Sequence, residues 1–576
     1  MPGFFSLEGA KQGLGVTATI ETSLTEREAA VQAEEGRATR LVWEKEAQTR
    51  WAKLDHLLYL PVLGLTRARD LYYYQGQGLR VLYGFNYKYL TVEHFLGRLT
   101  RLEVGQFMAA KLAQAYSQTW YPGHSPLVIY VDWHVKPHWT KHRAHSGAVT
   151  MWGRVMPGTK QLLINGPDGQ PLAGWNKAID THLSRVLVDL EKELSHLLQR
   201  PIAYTVCDSE GGGLPIGTKY VEAEQPYLSH LPRQGHPLEA FDLLNEWQPV
   251  TADPQREVVQ AHWREPVKAK AEVRDLVLMR RVGETDPTRI YTGHLSATLD
   301  IADVPGIYRQ RWPNQERVIR ELVNGANLNA NYGYRYQNVP NRTVQRQWAE
   351  AQERVEVSER TVARHRQARR NLQQQLADLR QTYHDQHQQL QHDLHQLQTE
   401  FLSRQATGQP FRRGQQRLAR TYAQLDQAHQ RYRHRCQKLL AQLQQHRRQQ
   451  TQAQTELTRR QEIRNALDTD SLCRERNLEK DQILLNLQLL LGNLHYWART
   501  HYFAQEWQRL ELKTATELIY RKAGWVQWGT EQIEVLLEPY RYPEHQQAME
   551  ETCRRFNAAN IHWRDGRRLR IQVAPP

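Results

Sequence analysis

Two short apolar runs stand out along the chain, Leu127-Val128-Ile129-Tyr130-Val131-Asp132 and Ile202-Ala203-Tyr204-Thr205-Val206-Cys207-Asp208. An unbroken apolar stretch ended by a single Asp is the pattern of a buried strand that delivers a carboxylate to its C-terminal edge. The extended pattern continues through Trp133-His134-Val135-Lys136, and further strands are predicted at 149–155 and 161–165, followed by a Pro167-Asp168-Gly169 turn. Ile179, Leu183, Val186, Leu187, Leu190, Leu194 and Leu197 recur at helical spacing and predict a helix over 176–199. The glycines of Ser209-Glu210-Gly211-Gly212-Gly213 let the backbone turn tightly after the second Asp.

On either side the pattern changes. Residues 1–35 are polar and weakly patterned and read as a loose N-terminal arm. Residues 36–122 are helical in pattern, with two short helices in 91–116 around a break near Val104-Gly105. They suit a DNA-binding domain or, with more weight, a helical pair covering a sheet. Strand-like alternation over 272–301 marks a β-rich insertion at about 217–305, whose Arg280, Arg281 and Arg289 lie on a solvated edge or touch DNA. From 343 to 465, two heptad series, Leu372 to Phe401 and Leu418 to Leu457, flank a break at Gly408-Gln409-Pro410. They predict an antiparallel coiled-coil hairpin with arms of about 60–90 Å. A spacer or dimerisation rod is the preferred reading over an arm laid along DNA. Residues 466–576 read as a small α/β module: helices at 483–496 and 497–507, strands at 524–528, 533–537 and 569–573, and a helix at 546–557.

Composition adds a partner. With 576 residues the chain can hold two to four domains, and its formal charge of +14 favours a polyanion. Four dispersed cysteines form no Cys-x-x-Cys pair, which argues against structural zinc or a disulfide framework and fits a reducing compartment. The most apolar run, 483–494, is too short for a membrane span, and the N-terminus has no signal-peptide pattern.

The candidate chemistry centres on Tyr308-Arg309-Gln310-Arg311-Trp312-Pro313-Asn314-Gln315-Glu316. Pro313 suits the start of a helix, which puts Glu316 in its first turn and Arg320 one turn behind on the same face. Tyr308, Arg311 and Arg320 suit phosphate, because guanidinium forks match phosphate oxygens. A carboxylate amid such cations suits a metal ion that also touches phosphate. The competing reading is an amphipathic helix with a solvated basic face. The cluster His134, His138, His142 and His145 suggests zinc only weakly, because Pro137 breaks a helix that would align the first three. A basic, DNA-facing loop fits it better. The glycines at 211–213 lack the Lys and Ser/Thr of a P-loop, so nucleotide binding is not expected.

These strings resemble the motifs of DDE-type insertion-sequence transposases. Tyr308, Arg311 and Glu316 are similar to a Tyr-Arg-Glu-Lys signature, with one extra residue between Arg311 and Glu316 and with Arg320 in place of Lys. The string from Val131 to Lys136 resembles a DGHV-type first-Asp motif with Trp133 where Gly is usual, and Cys207 to Gly212 a second-Asp motif with Ser209 where Arg is common. The resemblance implies an α/β fold: a ribonuclease H-like mixed sheet core (123–342) with the β-rich insertion, the N-terminal helical region, the coiled-coil hairpin and the C-terminal module. It implies catalytic, metal-holding Asp132, Asp208 and Glu316, with two Mg²⁺ ions (Mn²⁺ substituting) that serve in-line phosphoryl displacement. DNA contacts are expected from Tyr308, Arg311, Arg320, Trp312 and Lys136. It further implies a bacterial cytoplasmic enzyme that acts as a homodimer on double-stranded transposon ends and target, without membrane or nucleotide. The alternative is a degenerate or repurposed transposase that binds DNA without cutting.

Overall fold

Strand β1 (Leu127–Pro137) lies inside a mixed sheet, with Ile129 and Val131 wholly buried. This computed structural model describes residues 2–35, 47–74, 78–83, 87–142, 144–213, 217, 219–220, 222–231, 237–263, 275–295, 299–330, 336–408, 410 and 412–576. Parts of the predicted 36–122 helical region (36–46) and of the 272–301 alternation (272–274, 296–298) lie outside them. The chain forms two compact units, Met1–Asn338 with Arg474–Pro576, and Val339–Cys473.

In the first unit β1 pairs antiparallel with β3 (Arg154–Asn165) and parallel with β5 (Ile202–Cys207). The other edge of β3 is shared by β2 (Ser146–Val149) and β4 (Pro171–Ala178). Beyond β5 lie β6 (Tyr227–His230), parallel to it, and then β11 (Arg289–His294), β10 (Asp275–Arg281), β9 (Asp253–Trp263) and β7 (Phe241–Leu243), with β8 (Gln248–Val250) also on β9. The result is one mixed sheet of eleven strands among the described residues. The β-rich insertion is thus hydrogen-bonded into the same sheet through β6.

Three expectations are corrected. The predicted helix at 176–199 begins late: residues 171–178 form β4, because the turn containing Gly169 (φ +83°) returns the chain directly onto β3, and the α-helix spans only Leu187–Leu198. Residues 1–35 are no loose arm. They form helices Ser6–Gly13 and Val16–Glu35, and Phe4, Phe5, Leu7, Leu14, Ile20 and Leu24 are buried in the main core. Val16, Ile20 and Leu24 recur every four residues and are buried, a short stripe set among Thr and Glu. The segment 466–576 is no separate module. Helix Leu478–His501 is one continuous element, buried on nearly every side, and its buried amides Gln482, Asn486, Gln488 and Asn493 are each hydrogen-bonded. Its Gln482 carboxamide takes the Asn176 N–H at 2.8 Å and donates to the Gly174 carbonyl at 2.7 Å, joining the helix to β4. The predicted helix pair near Val104 is Tyr89–Arg101 and Val104–Trp120, hinged at Glu103 (φ +51°), and Met108, Leu112 and Tyr116 bury its second member in the same core. Strands Gly524–Trp528, Gln532–Leu537 and Arg568–Val573 form a small sheet beside helix Pro543–Ala558.

The second unit is a helical hairpin, Arg342–Ala406 against Arg412–Asn465. At 1.5 Å per residue its arms are about 97 and 81 Å long, the first exceeding the predicted range because the helix starts at its Asn341 cap. Heptad layers meet as predicted: Leu372 and Leu376 pack on Leu439, and Tyr383 stacks on Tyr432 at 4.2 Å. Among the described residues no helix is long and apolar enough to cross a membrane.

Candidate active site

Strand alternation brings the two aspartates to one face. Tyr130 and Val206 pack in a common apolar cluster on that face, and Asp132 and Asp208 are the residues two positions on. Because β1 and β5 are parallel neighbours paired at Val131–Cys207, the next residue in each is an Asp. The turn after Asp208 is tight. A Cβ on Gly211 would run into the Cys207 sulfur, and Asp208 Oδ1 accepts the Glu210 N–H at 2.9 Å, so this Asp also caps the following turn.

The same face is covered by helix Val304–Arg309, whose Val304 and Tyr308 join the cluster. The helical path does not restart at Pro313. It continues as a single π-turn, Trp312–Glu316, and then as helix Arg317–Gly325. A five-residue spacing falls outside the three- and four-residue steps that share an α-helical face. The wider π-turn absorbs the extra residue, and Arg311 donates to both Glu316 and Asp132, the latter at 3.1 Å. Three amides hold the turn on β3. Asn165 donates to the Asn314 carbonyl at 2.7 Å, wholly buried Gln315 donates to the Leu163 carbonyl at 3.1 Å, and Asn314 donates to the Pro167 carbonyl.

Electrostatics follow from this packing. Burial and then the neighbouring Asp208 carboxylate push Asp132 up to about 7, outweighing the Arg311 guanidinium and the Trp133 N–H, with Glu316 adding to the rise. Burial opposes the charge of Arg311, yet Asp132, Tyr308, Glu316 and Asp208 together hold its pKa above the ordinary value. One guanidinium therefore serves as counter-ion to two carboxylates, Asp132 and Glu316. Among the described residues, no group of three His, Cys, Asp or Glu side chains is spaced to hold a metal ion.

The expected DNA contacts divide. Trp312 is exposed and stands beside Arg311. Tyr308 is buried, and its hydroxyl meets His230 Nδ1 at 2.5 Å, so it is engaged within the fold. Arg320 is exposed but turns to Glu511 at 3.4 Å, away from Glu316. Lys136 is corrected outright. It is 1% exposed and faces Asp481 of helix Leu478–His501 at 3.9 Å, where burial lowers its pKa, so it cannot reach DNA. Of the histidine cluster, His134 pairs with Asn329 at 2.7 Å and His138 lies near Thr159 at 3.4 Å, both buried, while His142 is exposed. Sequence reasoning missed His230, which lies 78 residues from Tyr308 in the insertion and carries no local signal. Compared with known protein-family models and with curated proteins, the chain matches none.

Proposed function

We propose that the chain is a DDE-type transposase with a ribonuclease H-like core, which hydrolyses the DNA backbone at transposon ends and joins the freed 3′-hydroxyl to target DNA. The observation that carries this reading is that Arg311 pairs with both Asp132 and Glu316, while the adjacent parallel strands β1 and β5 bring Asp132 and Asp208 to one face. The strand series β4-β3-β1-β5-β6, antiparallel then parallel, supports the fold. The formal charge of +14 supports a DNA partner, bound with steep salt dependence.

The three carboxylates are not spaced as a metal-holding group while the Arg311 guanidinium stands between Asp132 and Glu316; their chemistry suits a hard divalent cation such as Mg²⁺ once that guanidinium moves aside. Asp132, Asp208 and Glu316 would hold it, with Arg311 released from two of them toward a phosphate. When bound, such ions supply an activated water and stabilise a leaving oxygen. The chain's own residues prepare the place: β1 and β5 fix the aspartates, the amide clamps at Asn165 and Gln315 fix Glu316, and exposed Trp312 borders the entrance. Paired ends call for a homodimer, and the setting is a bacterial cytoplasm.

A second reading, a repurposed transposase that binds DNA without cutting, is favoured by the Arg311 bridge itself, which already neutralises Asp132 and Glu316. Cleavage of end-bearing duplex with Mg²⁺ separates the two. Cutting by the native chain, lost in Glu316→Gln while binding persists, supports the enzyme. Binding without cutting by the native chain supports the binder.

A further inference from the structure

Beside Tyr308 lies a small cleft lined by β9, β10, β11 and helix Val304–Arg309. Three guanidiniums border it: Arg256 from β9, Arg289 from β11 and Arg309 from the helix. Its floor is apolar and phenolic, with buried Met279 and Tyr291, the Tyr291 hydroxyl directed to the Met279 sulfur at 3.7 Å. The one carboxylate among the described lining residues, Asp253, pairs with Arg256 at 3.2 Å. Arg289 and Arg309 are exposed at the rim. All three guanidiniums act on one point. Burial raises the Tyr291 phenol, and Arg289, Arg256 and Arg309 each pull it back.

We propose that this cleft binds a phosphate group. Three cations against one carboxylate leave two positive charges, which suits a phosphate, and guanidinium forks match its oxygens. The bearer is a nucleic-acid backbone or a small phosphorylated molecule, and a backbone fits better. Arg309 is two residues from Arg311 on one helical run, and the Tyr291 and Tyr308 rings are 5.4 Å apart, so the cleft adjoins the carboxylate face. That choice of bearer rests on the proposed function; the anion site rests on the cleft alone.

The test compares the full-length chain with Arg289→Gln/Arg309→Gln, using Lys192→Gln, an exposed helix position, as the control for lost charge and thermal melting as the control for folding. One arm measures a fluorescein-labelled duplex across a salt series, and the other measures pyrophosphate by calorimetry. For a backbone phosphate, the double variant weakens duplex binding on the order of 10–100-fold, and the slope of log affinity against log salt falls by about 1–2. Unchanged duplex binding together with pyrophosphate binding that the variant loses supports a small phosphorylated ligand. Duplex affinity, salt slope and pyrophosphate heats all matching the native chain overturn the proposal. Should the native chain fail to cut DNA while its duplex binding depends on these arginines, the cleft stands and the transposase reading falls.

Discussion

Arg311 Nη1 lies 3.1 Å from Asp132 Oδ2, and the same guanidinium donates to Glu316. A cation supplied by the chain thus sits between two groups from distant parts of the sequence, and any other cation must displace it. Arg311→Gln removes the competitor. Mn²⁺ affinity should equal or exceed that of the native chain, while the cleavage rate falls by at least about tenfold through loss of a charged phosphate contact. Weaker Mn²⁺ binding in this variant would show Arg311 to be a support for the carboxylates and not their rival.

The buried Lys136–Asp481 pair gives a stability prediction, with side chains only 2% and 1% exposed. Lys136→Ala leaves an uncompensated buried carboxylate and should cost about 3–5 kcal/mol, whereas Lys136→Met/Asp481→Leu should cost less. Urea denaturation of the three chains checks the order. A Lys136 variant with native stability and weakened DNA binding would contradict the buried placement.

Glu191 is 2% exposed and accepts the Tyr220 hydroxyl at 2.6 Å. Burial pushes its carboxyl up to about 7 from 4.5, against the pull of Tyr220 and Thr205. The folded state therefore holds the proton more tightly than the unfolded chain. The stability from this group is present at low pH and is lost as pH rises from about 4.5 through about 7. Urea midpoints should fall across that window for the native chain relative to Glu191→Gln, and parallel curves would contradict the assignment.

Phe5 is wholly buried, against Phe4 and Trp563. Phe5→Ala should cost about 3–5 kcal/mol, a penalty no loose arm would show. Thermal melting reads it directly.

These cases show what the pattern of residues could reveal. Strands β1 and β5 were legible because each contains a short apolar run ended by an Asp, although β1 continues past Asp132 to Pro137, and the hairpin was legible because its heptads are long. The packing of residues 1–35 and the central place of helix Leu478–His501 were not, because both depend on partners hundreds of residues away, such as Phe5 with Trp563 and Gln482 with Gly174. Asp132, Asp208 and Glu316 could be nominated from their local strings. That Lys136 turns inward, that Arg320 meets Glu511 and that Tyr308 meets His230 is set by tertiary contacts alone.

The most direct measurement is a Mn²⁺ titration of the full-length chain followed by electron paramagnetic resonance, with Asp132→Asn, Asp208→Asn and Glu316→Gln alongside. A single shared site requires that the native chain bind the ion and that each substitution weaken it by at least about tenfold, the loss expected when one charged ligand is neutralised. Native-like binding by all three variants, or no binding by the native chain, would contradict the claim that these carboxylates work as one metal-holding group.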